Sequence, residues 1–205
     1  MAGMTSRGTK RKKTLTAALS SWGSSKTIPD VKSYPDAVYF NYYTLGLSLL
    51  FVPVNGYVPL SGASRQDLQD AHLILDGVDI YNNAPSDNHD SKTGFRSRSS
   101  TYSSFPITPI TITLSPESKD GTSRPSVLNV TQNWVGKDFV AVLGEPDRKG
   151  GGSGPSSGSI GIWVEWIKDG LMVEFGGDDS RGPQAWEKGK DAPWRVISIF
   201  SPKNK

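Results

Sequence analysis

The chain has 205 residues, among them 23 basic and 20 acidic side chains, two histidines and no cysteine. A chain of this length buries roughly 70% of its unfolded surface, enough for a core without disulfide or metal staples. The missing cysteines exclude a disulfide framework, an iron–sulfur cluster and thiol catalysis, and a centre built from two histidines is not expected. Five of the basic residues lie within residues 1–13, which contain no acid, so the other 192 residues carry 18 bases and 20 acids. The basic charge therefore belongs to the N-terminal tail.

This tail, residues 1–13, is predicted to be disordered and to act through its positive charge. Its basic residues are Arg7, Lys10, Arg11, Lys12 and Lys13. Such a cluster suits an import receptor, an anionic membrane surface or a nucleic-acid backbone, and a solvated tail without a dedicated partner is the alternative. The apolar segment that follows, 14–19, is too short for a signal-peptide core or a membrane span. We therefore expect a cytoplasmic or nuclear protein that is neither secreted nor membrane-spanning.

Segments rich in β-branched and aromatic residues predict that most of the remaining structure is β-strand. These segments cover residues 38–43, 47–52, 72–81, 107–114, 160–166, 171–175 and 194–200. Helices are predicted at 15–22 and 137–143, because each is followed by a glycine typical of a helix C-cap. One further helical turn is predicted at 65–71. Three stretches rich in Ser, Gly, Asn and Asp are predicted to be flexible loops, at residues 82–104, 115–126 and 149–159.

An internal repeat relates the two halves of the chain. Residues 39–51 and 163–175 align without a gap. Both segments begin with an aromatic residue, carry a second aromatic three positions later, place a glycine four positions after that, and end with phenylalanine. The glycines are Gly46 and Gly170, and the Asp169–Gly170 pair is typical of a tight hairpin turn. Each segment is therefore predicted to form a β-hairpin.

The predicted fold is α+β and consists of two tandem helix–β-hairpin–strand repeats. The first repeat covers residues 14–81 and the second covers residues 105–205, with the flexible loop 82–104 between them. The Gly/Ser loop 149–159 lies inside the second repeat. Alternation along the strands gives each hairpin one apolar face. We therefore predict an antiparallel sheet that carries the helices on one face.

The first hairpin also resembles a segment of a known family. Residues 40–51, FNYYTLGLSLLF, are similar to a segment of the phagosome assembly factor family, in which Asn–Tyr–aromatic–x–Leu–Gly precedes alternating apolar residues and a Leu-Phe end. Residues 142–147, VLGEPD, resemble part of the repeated unit of that family. The resemblance implies a non-enzymatic adaptor that works with a β-propeller protein and phosphoinositide membranes during autophagy.

No pattern in the sequence predicts catalytic residues, metal ligands or a bound cofactor. The Gly-rich segment 149–154 begins with its lysine, whereas a phosphate-binding loop has its lysine after the last glycine, so this segment is interpreted as a linker. The acidic clusters at 87–90 and 178–179 lie among turn-forming residues and are interpreted as turns. We therefore expect no enzyme. An acid/base hydrolase with two carboxylates in a cleft between the halves is the least favoured alternative.

Aromatic residues are the main candidates for partner binding. We predict this role for Tyr39, Tyr42, Tyr43, Trp163, Trp166, Trp186 and Trp194. Residues 38–51 contain no basic side chain, so nucleic-acid binding by the folded body is not expected. The predicted function is a protein-interaction or adaptor module associated with autophagy or membrane-trafficking complexes. The alternative is a nuclear or nucleic-acid-associated protein directed by the basic tail.

Overall fold

A computed structural model describes residues 28–83, 102–114, 123–152 and 161–202. The basic tail, the predicted helix at 15–22 and most of each predicted loop lie outside the described residues. The predictions made for those segments stay predictions.

The described residues form ten strands, two short α-helices and several single turns of 3-10 helix. The strands are β1 (Asp30–Ser33), β2 (Val38–Tyr42), β3 (Leu47–Pro53), β4 (Leu73–Tyr81), β5 (Ile110–Thr113), β6 (Val127–Val130), β7 (Arg148–Gly150), β8 (Trp163–Trp166), β9 (Leu171–Phe175) and β10 (Trp194–Phe200). The helices are α1 (Gly136–Leu143) and α2 (Ala185–Lys188). Eight strands form one antiparallel sheet in the order β1-β2-β3-β4-β10-β9-β8-β7, and β5 pairs with β6 in a second, small sheet. The α+β class with a mainly antiparallel sheet is confirmed.

Strands with strong alternation are found where the sequence predicts them, whereas β1, β6 and β7 were not predicted. The predicted loop 149–159 is corrected at its start, because Lys149 and Gly150 belong to β7 and pair with β8. Both β1 and β7 are short, charged edge strands, and they are extended because a neighbouring strand pairs with them. The predicted strand 107–114 is shortened to β5, and the predicted strand 160–166 begins only at Trp163.

The two hairpins share one turn geometry, which differs from the tight Asp-Gly turn predicted for the second hairpin. Each contains one turn of 3-10 helix, at Tyr43–Leu45 and Ile167–Asp169, followed by a glycine in the left-handed region. Gly46 has φ 59° and ψ 41°, and Gly170 has φ 62° and ψ 41°. Asp169 is not a solvated turn residue, since its carboxylate forms a buried ion pair with Arg124.

Each turn glycine also lies against backbone, which leaves no room for a side chain. The carbonyl of Gly46 accepts a hydrogen bond from the N–H of Tyr81, and that of Gly170 accepts one from the N–H of Phe200. A Cβ at Gly46 would lie 2.1 Å from the carbonyl oxygen of Ser103, and a Cβ at Gly170 would lie 2.1 Å from that of Phe200. Each turn is therefore hydrogen-bonded to the end of a central strand, which is β4 for the first hairpin and β10 for the second.

Helix α1 forms where the sequence predicts a helix, beginning one residue earlier. The carboxylate of Asp138 accepts a hydrogen bond of 2.9 Å from the N–H of Val135, which satisfies a donor at the helix start. Phe139 and Leu143 are buried on one side of the helix. The ring of Phe139 lies 6.2 Å from that of Phe175 in β9, so the helix packs against the sheet.

The large sheet has one apolar face, here called the inner face, and one polar face, here called the outer face. Buried inner-face residues such as Phe40, Leu49 and Val173 share a single hydrophobic core with Phe139 of α1 and with Ile112 of the small sheet. The inner face is therefore covered by α1 and by the β5–β6 sheet. Within the described part of the chain, no helix is both long and apolar enough to cross a membrane.

Candidate binding cleft on the outer face of the sheet

A row of mostly polar side chains crosses the outer face through all eight strands. Its members pair in register from strand to strand, and they are Asp30, Asn41, Ser48, Asp79, Ser198, Met172, Glu165 and Arg148. In the strands between the two edge strands, the residue next to each member of this row is apolar and belongs to the core. Phe40, Ile80 and Ile197 are examples. Strict alternation therefore separates a packed face from a face that can hydrogen-bond.

Three members of this row, Asn41, Ser48 and Asp79, line an open cleft of about 600 Å³, here called the tyrosine cleft. Its lining residues are Lys32, Tyr34, Asp36, Ala37, Tyr39, Asn41, Tyr43, Ser48, Asp79, Tyr81 and Tyr102. Five of these eleven residues are tyrosines. Tyrosine offers a large apolar ring together with a hydroxyl, a combination that suits a binding surface.

The segment 102–105 forms one wall of the cleft. The ring of Tyr102 stacks on that of Tyr81, with centroids 3.7 Å apart and planes 3° apart, and it also contacts the ring of Tyr43 at 4.7 Å. The N–H of Ser103 donates to the carbonyl of Tyr43, and the N–H of Phe105 donates to that of Tyr81. These contacts hold Tyr102 over the ends of β2 and β4.

Polar side chains at the floor of the cleft are linked by short hydrogen bonds. The Oδ1 atom of Asn41 accepts from Oγ of Ser48 at 2.9 Å and from the hydroxyl of Tyr102 at 2.6 Å. Asn41 is only 5% exposed, yet its amide nitrogen has no partner among the described residues. Among the described residues, Nδ1 of His72 is the only polar side-chain atom that is both fully buried and without a partner, so the unpaired amide nitrogen of Asn41 is not fully buried. The amide nitrogen of Asn41 therefore opens onto the cleft.

Burial changes the electrostatics of the cleft. It raises the pKa of Asp79, and the hydrogen bond of 2.6 Å that Ser198 donates to Oδ1 of Asp79 offsets only part of this effect. Burial also raises the pKa of Tyr81 and of Tyr102, and the negative charge of Asp79 adds to both shifts. The two hydroxyls therefore stay protonated at neutral pH, and that of Tyr102 donates its proton to Asn41.

One cation lies at the rim of the cleft and is already engaged. A hydrogen bond with the hydroxyl of Tyr43 is the main cause that raises the pKa of Lys32. The same hydroxyl lies 3.2 Å from Oδ2 of Asp30 and donates to it. The negative charge of Asp30 also raises the pKa of Lys32, so Asp30 offsets part of the lysine charge.

Replacing Asp79 with asparagine should raise the free energy of unfolding at pH 7. Because the pKa of Asp79 is higher in the folded chain than in the unfolded chain, ionisation disfavours folding, by about 1.4 kcal/mol per pKa unit of difference. Asparagine removes this penalty and keeps an oxygen acceptor for Ser198. The gain should shrink as the pH falls through the folded-state pKa towards about 3.9, where the wild-type carboxyl is also protonated.

Urea denaturation at several pH values measures this difference. The matched control is Asp36→Asn, an exposed carboxylate of the same cleft, which should change stability by less than about 0.5 kcal/mol. A stabilisation by Asp79→Asn that persisted undiminished at acid pH would contradict burial as its cause.

The structure divides the seven aromatic residues predicted to bind a partner. Tyr39 and Tyr43 line the tyrosine cleft. Trp163 is half-buried on the outer face near the β7 edge, with the guanidinium of Arg148 5.9 Å from the centre of its ring. Trp186 in α2 is 40% exposed.

Three residues of that predicted set pack inside the fold, so the prediction that they bind a partner is corrected. Tyr42, Trp166 and Trp194 are buried, at 7%, 3% and 1% exposure. Alternation places Tyr42 on the inner face, since it follows Asn41 on the outer face. The indole N–H groups of Trp166 and Trp194 donate to backbone carbonyls inside the fold. The basic residues Arg7, Lys10, Arg11, Lys12 and Lys13 lie outside the described residues.

The sequence did not single out Asn41, Ser48, Asp79 or Tyr102. Period-two alternation was a usable signal for Asn41, because it places this residue between Tyr39 and Tyr43 on one face. Asp178–Asp179 lie in a 3-10 turn, as predicted. Within the described ranges, no group of three or more acidic or histidine side chains could hold a metal ion.

The chain matches no protein-family model, and no curated protein or solved structure is significantly similar to it.

Proposed function

We propose that this chain is a non-enzymatic protein-interaction module that binds a segment of another protein in the tyrosine cleft. The observation that carries this proposal is an open cleft whose floor presents a nearly buried amide, Asn41, among five tyrosine rings. Tyrosines of this kind dominate binding free energy at protein interfaces, because they bury a large area and lose little conformational freedom. The resemblance at residues 40–51 supports an adaptor role with a β-propeller partner in autophagy or membrane trafficking.

We also propose that the large sheet consists of two copies of one unit, β1–β4 and β7–β10. The strand order reads the same outward from the β4–β10 pair on both sides. Both hairpins have the same 3-10 turn and left-handed glycine. The register shifts between Leu50 and Phe51 against β4, and again on β10 between Trp194 and Val196 against β9.

The cleft belongs to the first of these proposed copies. Where the first copy has Asn41 and Ser48, the second has Glu165 and Met172 at the matching register positions. The second copy therefore lacks the amide oxygen that accepts from Tyr102 and the hydroxyl that donates to that amide. This difference favours a binding role for the first copy and a supporting role for the second.

Substitution of the cleft tyrosines tests the proposed function. Tyr39→Ala and Tyr43→Ala should each weaken binding to a stoichiometric partner by tenfold or more, as expected for interface hot spots. Affinity capture under mild conditions identifies the partner, and titration of the purified pair measures the dissociation constant. Val140→Ala, at a partly exposed position on α1, is the matched control and should bind like wild type. Unchanged binding by both tyrosine variants would refute the use of this cleft.

The basic tail supports a second candidate function, a nuclear or nucleic-acid-associated protein. Its observation is the run of four consecutive bases from Lys10 to Lys13. Deleting residues 1–13 should then abolish nuclear accumulation or weaken nucleic-acid binding with a reduced salt dependence. Unchanged location and binding after the deletion would remove this candidate.

A further inference from the structure

We infer that the tyrosine cleft binds an arginine side chain of the partner segment, with the guanidinium against a tyrosine ring and beside the carboxylate of Asp79. This inference rests on the proposed function and names the chemistry that the cleft recognises. It is carried by the charges, the ring positions and the unpaired polar atoms of the cleft.

The charges of the cleft favour a cation. Asp36 and Asp79 both line it, and the one lysine among its lining residues, Lys32, is engaged with Tyr43 near Asp30. Ser198 donates to Oδ1 of Asp79, whereas the second carboxylate oxygen has no partner among the described residues and is not fully buried. An anionic ligand would meet this carboxylate, so phosphate and carboxylate ligands are disfavoured.

The aromatic rings favour a planar cation. Tyr39 and Tyr43 both line the cleft, where their rings contact those of Tyr34 and Tyr102 respectively. Guanidinium groups bind the faces of aromatic rings through the ring quadrupole. The same pairing occurs elsewhere in this chain, where the guanidinium of Arg65 lies 5.0 Å from the centre of the Phe40 ring.

The unpaired polar atoms favour a peptide rather than a free cation. A guanidinium carries five N–H donors in a rigid planar group. It can donate to the open oxygen of Asp79 and at the same time stack its plane on a tyrosine ring. The amide nitrogen of Asn41 is a donor, so it suits a backbone carbonyl beside the arginine. The volume of about 600 Å³ leaves room for the backbone on both sides of the side chain.

Binding of a blocked tripeptide, acetyl-Gly-Arg-Gly-amide, to the full chain tests this inference. The matched control ligand replaces arginine with citrulline, which has almost the same shape and no charge. Backbone amide shifts in an NMR titration give both the affinity and the location of binding. We expect the arginine peptide to bind at least tenfold more tightly than the citrulline peptide, with the largest shifts on β2, β3 and β4.

Asp79→Asn is the deciding variant, because asparagine keeps the acceptor for Ser198 and removes the charge. It should weaken binding of the arginine peptide at least tenfold, while the control Val140→Ala leaves it unchanged, and thermal unfolding verifies that both variants are folded. Equal binding of the two peptides, equal binding by Asp79→Asn, or shifts confined to other surfaces would overturn the inference. Binding only by a variant that lacks residues 1–13 would also overturn it, since the basic tail of the chain would then be the occupant.

The two proposals fail in different ways. If the arginine peptide does not bind but Tyr39→Ala and Tyr43→Ala still abolish partner capture, the assignment of arginine is wrong and the interaction module stands. If the peptide binds in the cleft but the tyrosine variants capture the partner normally, the proposed function of the cleft is wrong.

Discussion

Trp194→Ala should lower the free energy of unfolding by about 3–5 kcal/mol, the range for removing a large aromatic side chain from a core. Trp194 is 1% exposed at the start of β10. Its indole N–H donates to the carbonyl of Thr131 at 2.9 Å, so the substitution leaves a cavity and also removes this hydrogen bond, while that carbonyl keeps the bond from the N–H of Trp134. Urea denaturation followed by tryptophan-independent circular dichroism measures the loss.

Trp186→Ala is the matched control for this prediction. Trp186 is 40% exposed, and its one described cation contact is Lys149, whose Nζ lies 5.6 Å from the ring centre. We expect a loss of less than about 1 kcal/mol, since exposed contacts of this kind are weak. Similar losses for the two variants would contradict the burial of Trp194 and would return it to the set of surface candidates.

Gly170→Ala should be the second strongly destabilising substitution, with a loss of about 3 kcal/mol or more. The left-handed backbone costs about 1–2 kcal/mol for a residue with a Cβ. The carbonyl oxygen of Phe200, 2.1 Å from the position of that Cβ, forces a further displacement of the turn from β10. Gly46→Ala should behave in the same way, because the carbonyl oxygen of Ser103 lies at the same distance.

Gly62→Ala separates the effect of the left-handed backbone from the effect of the close contact with a carbonyl oxygen. Gly62 has φ 74°, but nothing lies within 4 Å of the position of its Cβ. It should therefore lose only the conformational contribution, about 1–2 kcal/mol. Chemical denaturation of the three alanine variants gives the comparison. If Gly170→Ala lost no more than Gly62→Ala, the close approach of the turn to Phe200 would not exist in solution.

Local pattern was sufficient for the central strands and for α1. Leu171–Phe175 and Trp194–Phe200 are strands with the predicted bounds, and α1 begins one residue before its predicted start. In these segments the apolar period matches the element that forms, so local preference and core packing agree. Local pattern failed for β1 and β7, which have only four and three residues, include charged side chains, and are extended because neighbouring strands pair with them.

The candidate site was also predicted only in part, because local pattern does not show which aromatic residues the fold buries. Tyr39 and Tyr43 were identified because aromatic excess is visible in sequence, yet the same signal also selected Trp166 and Trp194, which the fold buries. Composition reports how many aromatic residues a chain has and does not report which of them face solvent. That choice depends on the register of strands that lie far apart in the chain.

By itself, the sequence determined the α+β class, the absence of cysteine chemistry, the positive charge of the N-terminal segment and the two hairpins with their turn glycines. These properties follow from composition and from contacts between near neighbours. Only the tertiary structure decided the cleft, because Ser198 reaches Asp79 across 119 residues and Tyr102 reaches Asn41 across 61. The sequence around Asp79 does not show that the pairing of β4 with β10 shields its carboxylate. Likewise, the sequence around Asn41 does not show that a distant tyrosine covers its amide. Their chemistry arises from burial, which is a property of the assembled sheet.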